Sequence, residues 1–415
     1  MSSSHLPPPR RLTLLLGGLA MFGPFSIDTL FPAFPQIGAQ FGADAVAMQQ
    51  TLSVYLLAYA AMSLVHGPLS DALGRRRVIL VGLAVFALAS AGCALATTLP
   101  QLLAFRAVQG MSAGVGLIVG RAVIRDVLHG PAAQRLMSQV TMIFGIAPAL
   151  APVLGGWLLD WQRWPAIFWW LMGFALVLWL AVWRALPETH PAAARRAVQP
   201  RALLHGYGRI ARNPHFLRLA LAAALLFGAL FMYIASAPAF VLQILRLDTR
   251  SFGWFFLPMI GGMMLGAWLS GRAAGRIDGR RLGALGFACC GLATCWVLAY
   301  HLRVATPAVP WAVLPVSLLA CGIGLVFPVI TLAILDLYPH QRGSASSLQA
   351  FVGLLVNVLI AGVLAPWLGD SGLHLALGSA GFVVAGAAMW VWQRQAGHRA
   401  VRTASQPAAL EPTDL

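Results

Sequence analysis

The sequence predicts an all-α membrane protein with twelve transmembrane helices in two related six-helix halves. Three observations carry that expectation. Twelve apolar runs are long enough to cross a bilayer, the arginines collect on alternate connections between them, and the two halves echo each other at an offset of about 205 residues.

The runs come first. Of 415 residues, 59% are hydrophobic and 10% are charged, whereas soluble domains carry about a quarter charged residues. A spanning helix needs about 20 apolar residues. Runs at roughly 12–35, 47–69, 78–97, 101–124, 136–158, 165–186, 215–242, 252–272, 283–303, 310–335, 345–368 and 373–393 meet that length. Arg10-Arg11 before the first run resembles a signal peptide. The run continues to about Phe34 with no small-residue cleavage site after it, so it reads as the first span.

The arginines orient the bundle. The formal net charge is +16, and all 28 basic residues are arginine. With the N-terminus inside, the inner connections and tails receive Arg10, Arg11, Arg75, Arg76, Arg77, Arg125, Arg195, Arg201, Arg209, Arg280 and others, and the outer loops receive only Arg163, Arg246, Arg250 and Arg303. The positive-inside rule then makes both termini cytoplasmic. Basic charge dispersed between apolar runs does not form a nucleic-acid face. The five cysteines all lie inside apolar runs without metal-ligand spacing and read as small buried residues. No cofactor or metal is expected.

The longest internal connection divides the chain. The resulting plan is a cytoplasmic tail at 1–11, a six-helix bundle at 12–186, a cytoplasmic linker at 187–214, a second bundle at 215–393 and a cytoplasmic tail at 394–415. In the linker, Leu203, Tyr207 and Ile210 stand against Arg201, His205, Arg209 and Arg212. This pattern suits either a short helix on an anionic leaflet or a solvated connection. "LFPAFPQI" in span one is echoed by "SAPAFVLQI" in span seven, and "GPLSDALGRRR" by "GRAAGRIDGRR". Parallel repeats of this kind build transporters with the substrate site between the halves.

Asp28 is the only one of the twelve acids well inside a span. An acid at that depth costs about 2.5–3.5 kcal/mol and belongs in the bundle interior or against a water-filled cavity. A carboxyl group held away from water favours its neutral form, so Asp28 is a candidate to load and release a proton. The alternative is a carboxylate that only ties helices together. Pro32 and Pro35 lack the N–H groups that would bond the carbonyls of Asp28 and Phe31, so the helix should kink or open beside the acid.

Arg106 is the second charge inside a span. At 1.5 Å rise per residue its depth matches that of Asp28, which points to a shared polar network, direct or through water. The alternative is a side chain snorkelling to the outer surface. Between spans two and three, Gly67, Asp71, Gly74, Arg75 and Arg76 have the order of a conformational latch, with glycines for a tight turn and an acid to pair with the arginines. In span five, Pro148 and Pro152 stand four apart and Gly155-Gly156 permits close helix packing, so this helix should bend and hinge or seal. Phe31, Tyr55, Tyr59, Gln109, Met142, Tyr233, Gln349 and Asn357 are candidates to line an apolar pocket with a few polar groups, or else simply to pack.

Together these motifs resemble the major facilitator superfamily, specifically its twelve-helix drug:proton antiporters, over nearly the whole chain. Residues 67–77 match the superfamily's loop signature, "RAVQG" at Arg106–Gly110 resembles the span-four proton-transfer motif, and "APVLGG" at Ala151–Gly156 resembles the span-five antiporter motif. "IDTLFPAFP", "QQTLSVYLLAYA", "GRAVIRD" and "LPET" look most like the Bcr/CflA branch, whose members export bicyclomycin and chloramphenicol. Ala147 and Ala151 stand where the antiporter motif has its first two glycines. The resemblance implies a major-facilitator-type fold and a monomer in the inner membrane, in contact with lipid. It also implies exchange of protons for small amphipathic molecules, with Asp28 as proton carrier, Arg106 as its partner and Asp71 with its arginines as gate.

Two other functions compete. A proton-coupled carrier of one polar metabolite, such as a sugar, amino acid or nucleoside, should have more polar residues inside its spans than this chain does. An intramembrane enzyme needs paired catalytic groups at one depth, and no HExxH or GxSxG stands in a span.

Overall fold

The computed structural model describes residues 9–128, 130–195, 199–273, 276–338 and 341–405. Among the described residues, twelve helical segments are long and apolar enough to cross a membrane. The first half comprises α1 (Pro9–Asp28), α2 (Phe34–Phe41), α3 (Ala45–Leu73), α4 (Arg75–Ala94), α5 (Leu99–Val127), α6 (Gly130–Trp161) and α7 (Pro165–Ala185). α1 and α2 together make the first span. The linker holds α8 (Pro200–Ala211). The second half comprises α9 (Pro214–Ala235), α10 (Ala237–Ala239), α11 (Phe252–Ala273), α12 (Gly279–Arg303), α13 (Leu314–Leu337), α14 (Arg342–Leu359), α15 (Ala365–Leu368) and α16 (Gly372–Ser405).

The halves repeat one packing scheme. In the first, α3 packs on α5, α4 on α7 and α1 on α6; in the second, α11 packs on α13, α12 on α16 and α9 on α14. These are the same span pairs, six positions apart. Glycines set the closest approaches in both. A β-carbon at Gly110 would overlap the Tyr55 carbonyl, and one at Gly262 or Gly266 would overlap the Ser317 or Cys321 carbonyl. Without such side chains the backbones approach within van der Waals contact, which is how helices associate in lipid.

Several boundaries differ from the apolar runs. The connection expected at 67–77 is almost wholly helical, because α3 runs to Leu73 through Pro68 and α4 starts at Arg75. Gly74 alone breaks the two, with φ +97°, a conformation open to glycine and strained for other residues. α16 runs past 393 to Ser405, since its Gln-, Ala- and Arg-rich continuation favours helix beyond the apolar stretch. The second-half echo of the latch includes residues 274–275, outside the described ones.

α8 is docked against the bundle and is not a solvated connection. Tyr207 and Ile210 are buried, the Tyr207 hydroxyl donates to the Leu64 carbonyl at 3.2 Å, and the helix packs on α14. Burial raises the Tyr207 phenol above its usual range, and a hydrogen bond with Ser347 opposes the rise. Arg201, His205, Arg209 and Arg212 remain exposed.

Candidate functional site

The first span opens beside its acid. α1 ends at Asp28, and a turn and the 3-10 segment Phe31–Ala33 precede α2. Pro32 offers no N–H to the Asp28 carbonyl, so the helical ladder stops there. Asp28 is 4% exposed, and among the described residues its carboxylate makes no hydrogen bond or ion pair. Span seven breaks at the matching place: α9 ends at Ala235, and a π-helical turn, Phe240–Ile244, follows α10. Ile234 stands there in the position of Asp28.

Arg106 is fully buried on α5. It donates to the Thr51 carbonyl at 3.2 Å, to the Ser26 carbonyl and hydroxyl at 3.0 Å each, and to Gln109 Oε1 at 2.8 Å. The guanidinium also lies 4.3 Å from the Tyr55 ring centroid. Gln109 is held in turn by Ser90, its Nε2 donating to the Ser90 hydroxyl at 2.8 Å. A buried guanidinium is tolerable when its fork is satisfied in this way. Arg106 therefore does not snorkel, and it does not pair with Asp28. It grips span one at Ser26, two residues earlier.

The span-five glycines sit at the same break. A β-carbon at Gly155 would overlap the carbonyl of Thr29, the residue after Asp28, and one at Gly156 would overlap the carbonyl of Thr249 in the second half. Pro148 and Pro152 lie within α6, which continues unbroken through both. Other links between the halves lie at the same end. Gln49 Nε2 donates to the Ala235 carbonyl at 2.8 Å and Gln50 Nε2 to the Gly362 carbonyl at 3.3 Å. The Phe31 and Phe256 rings stack with centroids 6.3 Å apart, and Arg250 pairs with Asp160 at 2.8 Å. Direct helix packing between the halves is chiefly α3 with α14 and α6 with α11, whereas α5 packs closely only on first-half helices. Among the described residues, these direct side-chain links between the halves all lie at this end.

At the opposite end the latch residues form one network. Arg75 pairs with Asp71, donates through Nε to Asp126 Oδ2 at 3.0 Å and reaches the Ser70 hydroxyl at 2.6 Å. Glu188 caps the start of α4, its Oε1 accepting the Arg75 backbone N–H at 2.8 Å. The Thr189 hydroxyl donates to Asp126 Oδ2 at 3.1 Å. Gly74 packs under Glu188, and Arg76 donates to the Trp183 carbonyl at 2.6 Å. Gly67 has open space around its α-carbon. Sequence reasoning missed Glu188 as a member of this network.

The pocket candidates separate. Tyr55 and Gln109 belong to the Arg106 network. Phe31 is packed in the seal between halves. Tyr59 is half-buried, lies edge-on to Tyr55 with centroids 6.4 Å apart, and reaches Gly114 of α5. Gln349 donates to the Thr331 hydroxyl at 3.1 Å. Asn357 Oδ1 is buried without a partner among the described residues. Tyr233 points into the second half's own core, among Thr294, Val297, Val316 and Ser379, away from the seam. The side chain of Met142 lies outside the described residues. Gln49, which sequence reasoning passed over, bridges the halves. Arg121, quoted only within "GRAVIRD", is an exposed charge inside span four.

Two matched six-helix halves, sealed at one end around broken spans and a buried acid, define a secondary transporter. The chain belongs to the Major Facilitator Superfamily, whose sequence profile matches residues 14–361; it is a multi-pass membrane transporter of small molecules and not an enzyme. It is 32% identical over 358 residues to the uncharacterized MFS-type transporter YdgK of Bacillus subtilis (strain 168), covering 84% of this chain and 87% of that one. It is 26% identical over 361 residues to a bicyclomycin resistance protein homolog of Haemophilus influenzae (strain ATCC 51907 / DSM 11121 / KW20 / Rd), covering 85% and 88%. Among solved structures, a D-xylose-proton symporter has the same fold, with a TM-score of 0.68 at 14% identity over 92% of this chain and 97% of that one.

Proposed function

We propose that this transporter is a proton-coupled antiporter of the Bcr/CflA kind. It exports small amphipathic compounds, such as chloramphenicol- or bicyclomycin-like drugs, from the cytoplasm across the inner membrane by alternating access. One observation carries the reading. The only acid deep in a span, Asp28, sits unpaired at a helix break that Arg106 grips from one side and the span-five glycines close from the other. The likeness to a bicyclomycin resistance protein homolog supports the substrate class.

Arginine placement supports an outward-facing sealed end, and the side-chain links at that end support an inward-open state. Substrate and proton then favour different states of the cavity beside Asp28, and each shifts the equilibrium by its differential affinity. One proton entering per cycle supplies about 2.3 kcal/mol per 100 mV, enough for about a fiftyfold gradient of a substrate that moves no net charge. The Arg75 network at the inner end acts as the latch.

The test is uptake into inverted vesicles under an imposed pH gradient. Asp28→Asn should abolish gradient-driven accumulation while the protein stays folded. Accumulation by that variant at the full rate would remove Asp28 as the proton carrier.

A further inference from the structure

Arg121 is a charge inside a span that no acid pairs with among the described residues. It lies on α5, among the residues of the fourth span, and is exposed. Among the described residues it makes no hydrogen bond and no ion pair; the groups that interact with it electrostatically are Tyr59 and Arg125. An ionisable residue left unpaired within a span marks a functional site by default.

Its direction follows from helix geometry. Seven residues are close to two turns, so Arg121 shares a face of α5 with Gly114. Gly114 packs on Tyr59 and His66 of α3. Arg121 therefore lies on the α3 side of α5. Among the described residues no second-half helix packs closely on α5, so in the inward-open reading the guanidinium borders the opening between the halves. Val127 ends the helix six residues further on, which places Arg121 in the inner part of that opening.

The charges along the path are unbalanced. Asp28 and Arg106 stand at the sealed end. Arg121 lies toward the mouth, with Arg125 exposed one turn beyond. The second half contributes Asp336, exposed at the end of α13 and thus outside the depth of Arg121. Asp71 and Asp126 are paired with Arg75, so once Asp28 carries a proton no unpaired carboxylate stands at the depth of Arg121 among the described residues. A cationic molecule entering there meets repulsion, whereas an anionic head group meets a planar donor fork with free N–H groups.

We infer that Arg121 is the head-group site for substrates with a carboxylate or similar anionic end on an apolar body. The unpaired guanidinium on the Tyr59 side of α5 would hold that end in the inter-half opening. The inference rests on the reading of that opening as the substrate path. It makes this transporter selective for acidic over cationic amphipaths.

The test uses the purified full-length protein in nanodiscs of zwitterionic lipid. Three probes share one body: 4-butylbenzoate, 4-butylbenzamide and 4-butylbenzylammonium. Calorimetry at neutral pH should give the benzoate an affinity about tenfold or more above the ammonium compound, the size of one charge-assisted hydrogen bond. Arg121→Gln should remove that preference by weakening the benzoate far more than the benzamide, and Arg121→Lys should keep part of it. Equal binding of benzoate and ammonium by the native protein would overturn the assignment, as would an equal loss of all three probes in Arg121→Gln. Nanodiscs with an anionic lipid separate the other source of the same chemistry. If Arg121→Gln changes only how much anionic lipid is retained, the site serves head groups of the membrane and the assignment falls. Vesicle uptake under a pH gradient keeps the two proposals apart. Charge preference in binding without proton-driven uptake defeats antiport and leaves the head-group site standing. Proton-driven uptake without charge preference does the reverse.

Discussion

Arg106 donates to the Ser26 carbonyl and hydroxyl, at 3.0 Å each, and leaves Asp28 two residues away unpaired among the described residues. The guanidinium thus fixes the turn that carries the acid without neutralising the acid. A carboxylate held in place yet free of a counter-ion can gain and lose a proton without breaking an ion pair.

Arg106→Lys should separate these roles. A lysine keeps the charge but cannot serve Thr51, Ser26 and Gln109 from one planar fork. Thermal unfolding in detergent should fall, with a loss of about 1–3 kcal/mol from acceptors left without donors. Proton-driven transport should drop by about tenfold or more as the Asp28 turn loosens. Ser26→Ala, which keeps the carbonyl, should lose only about 0.5–1.5 kcal/mol.

Gly155→Ala and Gly156→Ala should part company. The first presses on Thr29 inside one half, and the second presses on Thr249 across the seam. Overpacking costs about 1–3 kcal/mol. For Gly156→Ala that penalty applies only while the sealed end is closed. Labelling of a cysteine placed at the seam should rise for Gly156→Ala, whereas Gly155→Ala should lower thermal stability with little change in labelling.

The Asp160–Arg250 pair is partly exposed, at 24% and 64% for the two side chains. Such pairs contribute about 0–1 kcal/mol. Arg250→Gln should therefore leave stability nearly unchanged and raise the open population at that end up to about fivefold, by distance measurement between spin labels. Exchanging the two charges should restore the native distribution, and high salt should blunt both effects.

Glu188→Gln should loosen the inner network. The carboxylate caps the α4 N-terminus by accepting from Arg75 N–H, where the helix dipole favours negative charge. The expected loss is about 0.5–2 kcal/mol. Hydrogen exchange at the first turn of α4 should quicken, while the exchange of α12 at the corresponding place should not change.

Much of the fold was legible because lipid imposes a simple rule on sequence. Apolar length marked the spans, and the Pro32 spacing marked the break at Asp28, since a missing N–H is a local property. Gly155-Gly156 likewise announced close packing. Arg106's partners were not legible, because two of them are backbone carbonyls, which every residue carries. Glu188 lies 113 residues from the helix it caps, and no local pattern connects them. Tyr233 had the composition of a pocket residue, but which way it turned depended on the packing of α9 against helices far along the chain. Arg121 was hidden by its position near an inner helix end, where arginine is expected for orientation alone.

Beside its ring stack and ion pair, the seam at the sealed end rests on three main-chain oxygens. Gly156 rests on the Thr249 carbonyl, Gln49 holds the Ala235 carbonyl and Gln50 the Gly362 carbonyl. Backbone oxygens do not change when side chains are substituted. Residues bordering the opening can therefore drift to accept new compounds while the closure that prevents leakage survives. Diversification of cargo and integrity of the barrier are separable in this architecture, so one scaffold can be retuned by mutation without first becoming a hole.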